Sequence, residues 1–133
     1  MAMVEMVFVL PILLLLVFAI AEFGLMFSRW LTLSNAVREG ARTGVVFRSP
    51  CNNGVVTTEV ENAIASYAAA GGIPTSDLTI TVTGMCDRVD DPADPNDAKL
   101  VVDASFDFKL HIPFSDSLGG SIPLAYQSTM RNE

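Results

Sequence analysis

The sequence contains few basic residues, a single histidine and two cysteines, and each shortage excludes a class of function. Its 133 residues include 8 Lys and Arg against 15 Asp and Glu, which gives a formal net charge of −7. A nucleic-acid-binding protein depends on Lys and Arg contacts to phosphates, so this balance argues against one. One histidine excludes a multi-histidine metal centre. Because no phosphate-binding glycine loop, nucleophile elbow or zinc-ligand spacing occurs either, we expect a protein that is not an enzyme and requires no cofactor.

Apolar residues, in contrast, are abundant near the N-terminus. Residues 6–27 carry one charge, that of Glu22, and no Lys or Arg precedes Arg29. A helix of this length reaches about 33 Å, close to the ~30 Å thickness of a bilayer core. A signal peptide is disfavoured. The apolar region of a signal peptide is shorter than this one, follows basic residues and ends in small residues, and the run found here has none of these features. The run therefore predicts a helix that spans a membrane or lies buried in a helical bundle.

Glu5 stands at the beginning of this apolar region. A carboxylate inside a bilayer costs roughly 2.5–3.5 kcal/mol at the centre of a helix and less near its end. Two interpretations remain open. Glu5 lies at the headgroup level and is solvated, or it pairs with a cation that an isolated chain lacks. The nearest such cation is the α-amino group of Met1 in an adjacent copy, since a free α-amine is largely protonated at neutral pH.

Three motifs resemble the TadE-like pilins and pseudopilins of the Tad system, within the type IV pilus-like filaments. They are VEMVFVLPILL at residues 4–14, AEFG at residues 21–24 and NAVREGAR at residues 35–42. The final residues 128–133, STMRNE, also resemble the family's closing strand. The resemblance implies a structural subunit of an extracellular filament, or fimbrium, assembled by packing of its N-terminal helix against copies of itself. It also implies an inner-membrane precursor that a prepilin peptidase cleaves just before Met1, and an assembly platform with an ATPase.

Glu22 and Arg29 complete the set of candidate assembly residues with Met1 and Glu5. Glu22 and Arg29 share nearly the same helix face but lie about 10 Å apart along the axis, so they do not pair easily within one straight helix. They would pair between staggered neighbouring copies, or Glu22 would extend to the headgroup region instead. Pro11 is expected to kink the helix or open it locally, because its ring removes one backbone hydrogen bond.

The helical period continues beyond the apolar run to about Phe47. We therefore divide the chain into a transmembrane or filament-core helix at residues 1–28, an amphipathic continuation at 29–48 and an exported domain at 49–133. Gly40 and Gly44 lie one turn apart on this helix. They indicate close packing, either within the subunit or between subunits.

The exported domain is predicted to contain one further helix and three strands. Thr58 and Glu61 have the spacing of a capping box, and Val60, Ile64 and Tyr67 form an apolar stripe after it. Alternation of apolar and polar residues predicts strands over residues 78–83, 102–112 and 122–130. The fold class is α+β: a long N-terminal apolar helix of pilin type, a short helix and a small antiparallel three-stranded sheet.

The two cysteines, Cys51 and Cys86, both belong to the predicted exported domain. An oxidising exterior favours a disulfide between them, and closing a loop of about 35 residues would stabilise the domain by roughly 3–4 kcal/mol. A pair of free buried thiols is the alternative.

An acidic segment follows the first predicted strand. Hard oxygen donors on a turn-rich loop suit Ca²⁺, although the spacing is not that of an EF-hand. The alternative is a solvated acidic loop. A calcium-binding or adhesion module anchored by a single span is accordingly a second candidate function, and a minor pseudopilin that initiates a pilus is a third. The candidate calcium ligands are Asp87, Asp90, Asp91, Asp94 and Asp97.

Overall fold

The computed structural model describes residues 2–46, 52–84, 99–110 and 120–131. Across these ranges the chain has an α+β fold, which confirms the predicted fold class. Its elements are, in chain order, α1 (Ala2–Gly44), α2 (Asn53–Ala70), a short 3-10 helix (Thr75–Asp77), β1 (Leu78–Thr83), β2 (Lys99–Lys109) and β3 (Ser121–Arg131).

Helix α1 is continuous from Ala2 to Gly44 and contains Pro11. It ends slightly before Phe47, where the sequence predicted its end. Glycine has a low helix propensity, and the residues that follow Gly44 are the β-branched Val45 and Val46, so the local sequence does not favour another turn. The kink expected at Pro11 stays a prediction.

The two halves of α1 differ completely in their surroundings. Residues 3–21 are exposed along their whole length, whereas burial begins at Glu22 and is greatest from Leu33 onward. The second half contributes Leu33, Ala36, Val37 and Ala41 to a buried core that also includes residues of α2 and β2. The first half of α1 is therefore an exposed helix, and its second half is part of the buried core.

Helix α2 begins earlier than predicted. Asn52 is its N-cap, and the Asn52 side chain accepts a hydrogen bond of 3.0 Å from the backbone N–H of Gly54. The predicted capping box is thus wrong: Thr58 lies inside the helix, where its hydroxyl donates to the carbonyl oxygen of Gly54 at 2.9 Å. Serine and threonine hydroxyls form such bonds to the preceding turn, so a Thr-x-x-Glu pattern does not by itself mark a helix start.

The buried stripe of α2 also differs from its prediction at one position. Val60 and Ile64 are fully buried, as expected. The stripe then continues through Ala68, which is fully buried, whereas Tyr67 is 44% exposed. Position 68 continues the spacing of four residues from 60 and 64, and the small alanine allows α2 to approach its neighbours closely.

The three strands form one antiparallel sheet with the order β1-β2-β3. The central strand β2 buries alternate residues from Leu100 to Phe108, as the alternation predicted. It begins at Lys99, earlier than predicted, because β3 is long enough to pair Arg131 with Lys99. Pro123 lies on the edge strand β3, where a residue without an N–H is tolerated.

Gly40 and Gly44 bring the backbone of α1 against α2 and β2. A Cβ atom on Gly40 would collide with Cγ1 of Ile64, and one on Gly44 would lie 2.5 Å from Cδ2 of Leu100. Both contacts are within the subunit, so internal packing accounts for the spacing of these glycines.

Replacing Gly40 by alanine is expected to destabilise the fold by about 1–3 kcal/mol, because the fully buried Ile64 has to shift. The matched control is Gly24→Ala in the same helix, where a Cβ meets nothing within 4 Å. Gly24→Ala should leave domain stability unchanged or raise it slightly, since alanine favours helix. Denaturant unfolding of both variants in detergent measures the difference. Equal stability of Gly40→Ala and the parent would contradict tight packing at Gly40.

Candidate functional site

The exposed helix, defined here as residues 3–21, is the largest apolar surface among the described residues. Its large apolar side chains are all exposed, from Leu14 at 46% to Met3 at 87%. None of the most apolar stretch of α1 is buried, and the helix is long and apolar enough to cross a membrane. Such a surface is far larger than the apolar patches of soluble monomers, so it requires lipid or another apolar surface to cover it.

Glu5 lies in the first turn of α1 and is exposed. The first turn favours a carboxylate, because unpaired backbone N–H groups give this end of a helix a partial positive charge. The nearest basic residue along the chain is Arg29, about 36 Å away along the helix axis. A side-chain cation of the same helix therefore cannot reach Glu5.

Glu22 lies where the exposed helix meets the domain, by which we mean the second half of α1, α2 and the sheet packed together. Its Oε2 atom is buried and has no hydrogen-bond partner among the residues that the structure describes. It faces a cavity of ≈ 190 Å³, which we call the Glu22 pocket. The pocket is otherwise apolar, and its walls come from α1 and from the ends of β2 and β3. The wall residues are Ala19, Phe23, Met26, Phe108, Leu110 and Ile122.

Arg29 contacts Phe108, a wall residue of this pocket, and forms no ion pair with Glu22. Its guanidinium carbon lies 5.1 Å from the ring centroid of Phe108, a cation–π geometry. The sequence argument placed Glu22 and Arg29 too far apart to pair easily within one straight helix. It did not identify Phe108, because alternation along β2 predicts a buried position but not which residue of α1 lies above it.

Trp30, Arg38 and Tyr126 hold α1 against the edge strand β3. Trp30 stacks on Phe27 with ring centroids 6.1 Å apart and meets the Tyr126 ring edge-on at 6.3 Å. The Nε of Arg38 donates a hydrogen bond of 3.0 Å to the hydroxyl of Tyr126, and its guanidinium carbon lies 5.3 Å from that ring's centroid. These contacts fix the direction in which the exposed helix leaves the domain.

Comparison with known families gave a match over the first third of the chain. Residues 1–42 match the family model described as TadE-like protein. The match confirms the resemblance drawn from the three motifs between residues 4 and 42; the resemblance drawn at residues 128–133 lies outside it and stays a prediction. Comparisons with curated proteins and with solved structures each gave no match.

The TadE-like segment, residues 1–42, contains the exposed helix and the candidate residues Glu5, Glu22 and Arg29. It also contains Arg38, which ties α1 to the sheet. Helix α2 and the sheet lie beyond it. A TadE-like segment that includes an exposed apolar helix fits a protein associated with a Tad pilus.

Removal of the Arg38 side chain tests how firmly the TadE-like segment is held on the sheet. Arg38→Ala is expected to lower the free energy of unfolding by about 1–2 kcal/mol, because one hydrogen bond from a charged donor and one cation–π contact are lost. Arg42→Ala, one turn later and exposed, is the control and should change stability by less than about 0.5 kcal/mol. Thermal unfolding followed by near-ultraviolet circular dichroism of Trp30 and Tyr126 reports both values. Indistinguishable results for the two variants would show that the Arg38 contacts contribute nothing.

Several residues selected from the sequence lie outside the described ranges. These are Met1, Cys51, Cys86 and the five candidate calcium ligands Asp87, Asp90, Asp91, Asp94 and Asp97. The disulfide and the calcium site therefore stay predictions. Within the described ranges, no group of three or more His, Cys, Asp or Glu side chains is arranged to hold a metal ion.

Proposed function

We propose that this protein is a structural subunit of a Tad-type filament and that it assembles through the exposed helix. The observation that carries the proposal is the exposure of every residue from 3 to 21, in a TadE-like segment, beside a buried core formed by the second half of α1, by α2 and by β2. The role is structural and not catalytic.

Burial of the exposed helix supplies the driving force for assembly. In the precursor, lipid covers the helix, and the protein resides in the inner membrane. In the extracellular filament, the helices of neighbouring copies cover it, since no other environment outside a bilayer removes this apolar surface from water. The prepilin peptidase, the assembly platform and its ATPase are the partners this route requires.

Charge complementarity sets the register between copies. Glu5 pairs with the α-amino group that cleavage before Met1 would create on a neighbouring copy. A second pairing would join Glu22 of one copy to Arg29 of a staggered neighbour, and Arg29 keeps its in-plane N–H donors while its guanidinium lies over the ring of Phe108.

Electron microscopy of material sheared from producing cells, with mass spectrometry of its main protein, tests this proposal. Filaments composed chiefly of this chain and beginning at Met1 are the expected result. Trace amounts beside another, more abundant pilin would instead identify a minor pseudopilin. Retention of the whole population in the membrane fraction would favour an anchored module, and the acidic segment would then become its candidate binding site.

A further inference from the structure

The Glu22 pocket combines a buried, unpartnered carboxylate oxygen with apolar walls. A buried carboxylate oxygen without a hydrogen-bond partner is costly, so this arrangement favours a cation or a hydrogen-bond donor from outside the chain. Glu22 as a whole is only partly buried, and the pocket that it lines is partly open to the surroundings.

The position of the pocket along α1 indicates where that ligand comes from. The exposed helix, residues 3–21, is about 28 Å long, close to the ~30 Å hydrocarbon thickness of a bilayer. In the membrane stage of the proposed function, on which this inference rests, Glu22 follows directly and lies where lipid headgroups begin. The residues of β2 and β3 that line the pocket then face the same level.

A second copy is a poor source of the missing cation at this stage. Residues 2–28 contain no Lys, Arg or His, so a neighbouring helix packed alongside brings no basic side chain from this stretch. The first one available, Arg29, lies about 10 Å beyond Glu22 along the axis when two copies are level in the bilayer. Lipid headgroups, in contrast, are present at this level of the helix throughout the membrane stage.

We propose that the Glu22 pocket binds the primary ammonium group of a membrane lipid headgroup, the chemistry of phosphatidylethanolamine. A primary ammonium carries a positive charge and three N–H donors, one of which satisfies Oε2 of Glu22. The methylene groups next to it pack against the apolar walls, among them Phe23 and Phe108. The quaternary ammonium of a choline headgroup has the same charge but no N–H, so it cannot donate this hydrogen bond.

The test uses the full chain reconstituted in bilayers that contain equal amounts of phosphatidylethanolamine and phosphatidylcholine with identical acyl chains. Mass spectrometry then counts the lipids that remain bound after gentle extraction. We expect the parent protein to retain the ethanolamine lipid over the choline lipid by at least about fivefold, the ratio that a single charge-assisted hydrogen bond supports. Glu22→Gln should reduce this ratio to about one. Glu39→Gln is the matched control, because Glu39 is an exposed carboxylate on the domain part of the same helix, and it should keep the parent ratio.

A lipid series on the parent protein provides a readout that does not depend on any variant. Retention should persist for headgroups whose nitrogen carries one or two methyl groups and fall sharply with the third, because the third methyl group removes the last N–H donor. Equal retention of all four headgroups, or an unchanged ratio in Glu22→Gln, would overturn the proposal. So would oligomers that form in every bilayer without lipid preference, since a second copy would then occupy the pocket.

Extraction at alkaline pH distinguishes failure of the lipid site from failure of the proposed function. A chain that resists extraction but shows no preference refutes only the lipid site, whereas a chain that never inserts refutes the membrane stage and the lipid site together.

Discussion

Replacement of Glu5 by alanine is expected to lower filament yield at least about tenfold, while the domain formed by the second half of α1, by α2 and by the sheet keeps its fold. In the proposed assembly, Glu5 is surrounded by apolar helices and meets the α-amino group of a neighbouring copy. Removing one member of a buried ion pair costs about 3–5 kcal/mol, because the remaining charge is left uncompensated. This cost recurs at every contact between subunits, so a single substitution acts on the whole filament.

The control is Glu39→Ala, which removes a carboxylate from an exposed position of the same helix. It should leave filament yield unchanged. Both variants should show the circular dichroism spectrum and the unfolding midpoint of the parent, since neither residue belongs to the buried core. Filaments of Glu5→Ala in parental amounts would show that Glu5 does not set the register, and the carboxylate would then be a solvated group at the headgroup level.

The long helix and the strands could be predicted because their signals are local. An apolar run of this length and an alternation of period two each determine which backbone conformation buries the apolar side chains. The bounds of β2 were less accurate, since they depend on how far β3 extends to pair with it. Long-range pairing is not encoded in the alternation of a single strand.

The candidate site shows the same division between local and distant information. Glu5 and Glu22 were found because a carboxylate in an apolar run is conspicuous in the sequence. The walls of the Glu22 pocket were missed, because Phe108 and Ile122 come from strands far along the chain. The bond between Arg38 and Tyr126, which are 88 residues apart, was missed for the same reason. Such contacts can be predicted only when the orientation of α1 on the sheet is known.

The division of α1 into an exposed half and a packed half connects the fold with the proposed assembly. The packed half is fixed to the domain by its buried residues and by contacts such as those of Arg38 and Trp30. The exposed half then leaves the domain in a defined direction before any partner is present. A rigid helix that needs no refolding loses little conformational entropy when copies associate, which favours assembly.

Two leucines within one turn of α1, Leu31 and Leu33, allow the exposed and the buried surface of this helix to be tested separately. Leu33 is 0% exposed and belongs to the core shared with α2 and β2, whereas Leu31 is 42% exposed. Leu33→Ala is expected to lower the free energy of unfolding by about 2–5 kcal/mol, because it removes buried methyl groups and leaves a cavity that the surrounding helices only partly fill. That loss is a large fraction of the 5–15 kcal/mol typical of a folded domain.

Leu31→Ala, in contrast, removes the same atoms from an exposed position and should cost less than about 1 kcal/mol in the isolated subunit. Denaturant unfolding of both variants in the same detergent, fitted with a common slope, gives the two values. Similar losses for both variants would contradict the burial of Leu33. If the subunit assembles as proposed, filament yield should decline in Leu33→Ala only in step with the loss of folded protein. A fall in yield for Leu31→Ala with unchanged stability would mean that the surface used for assembly extends beyond the exposed helix, onto the open face of the packed half of α1.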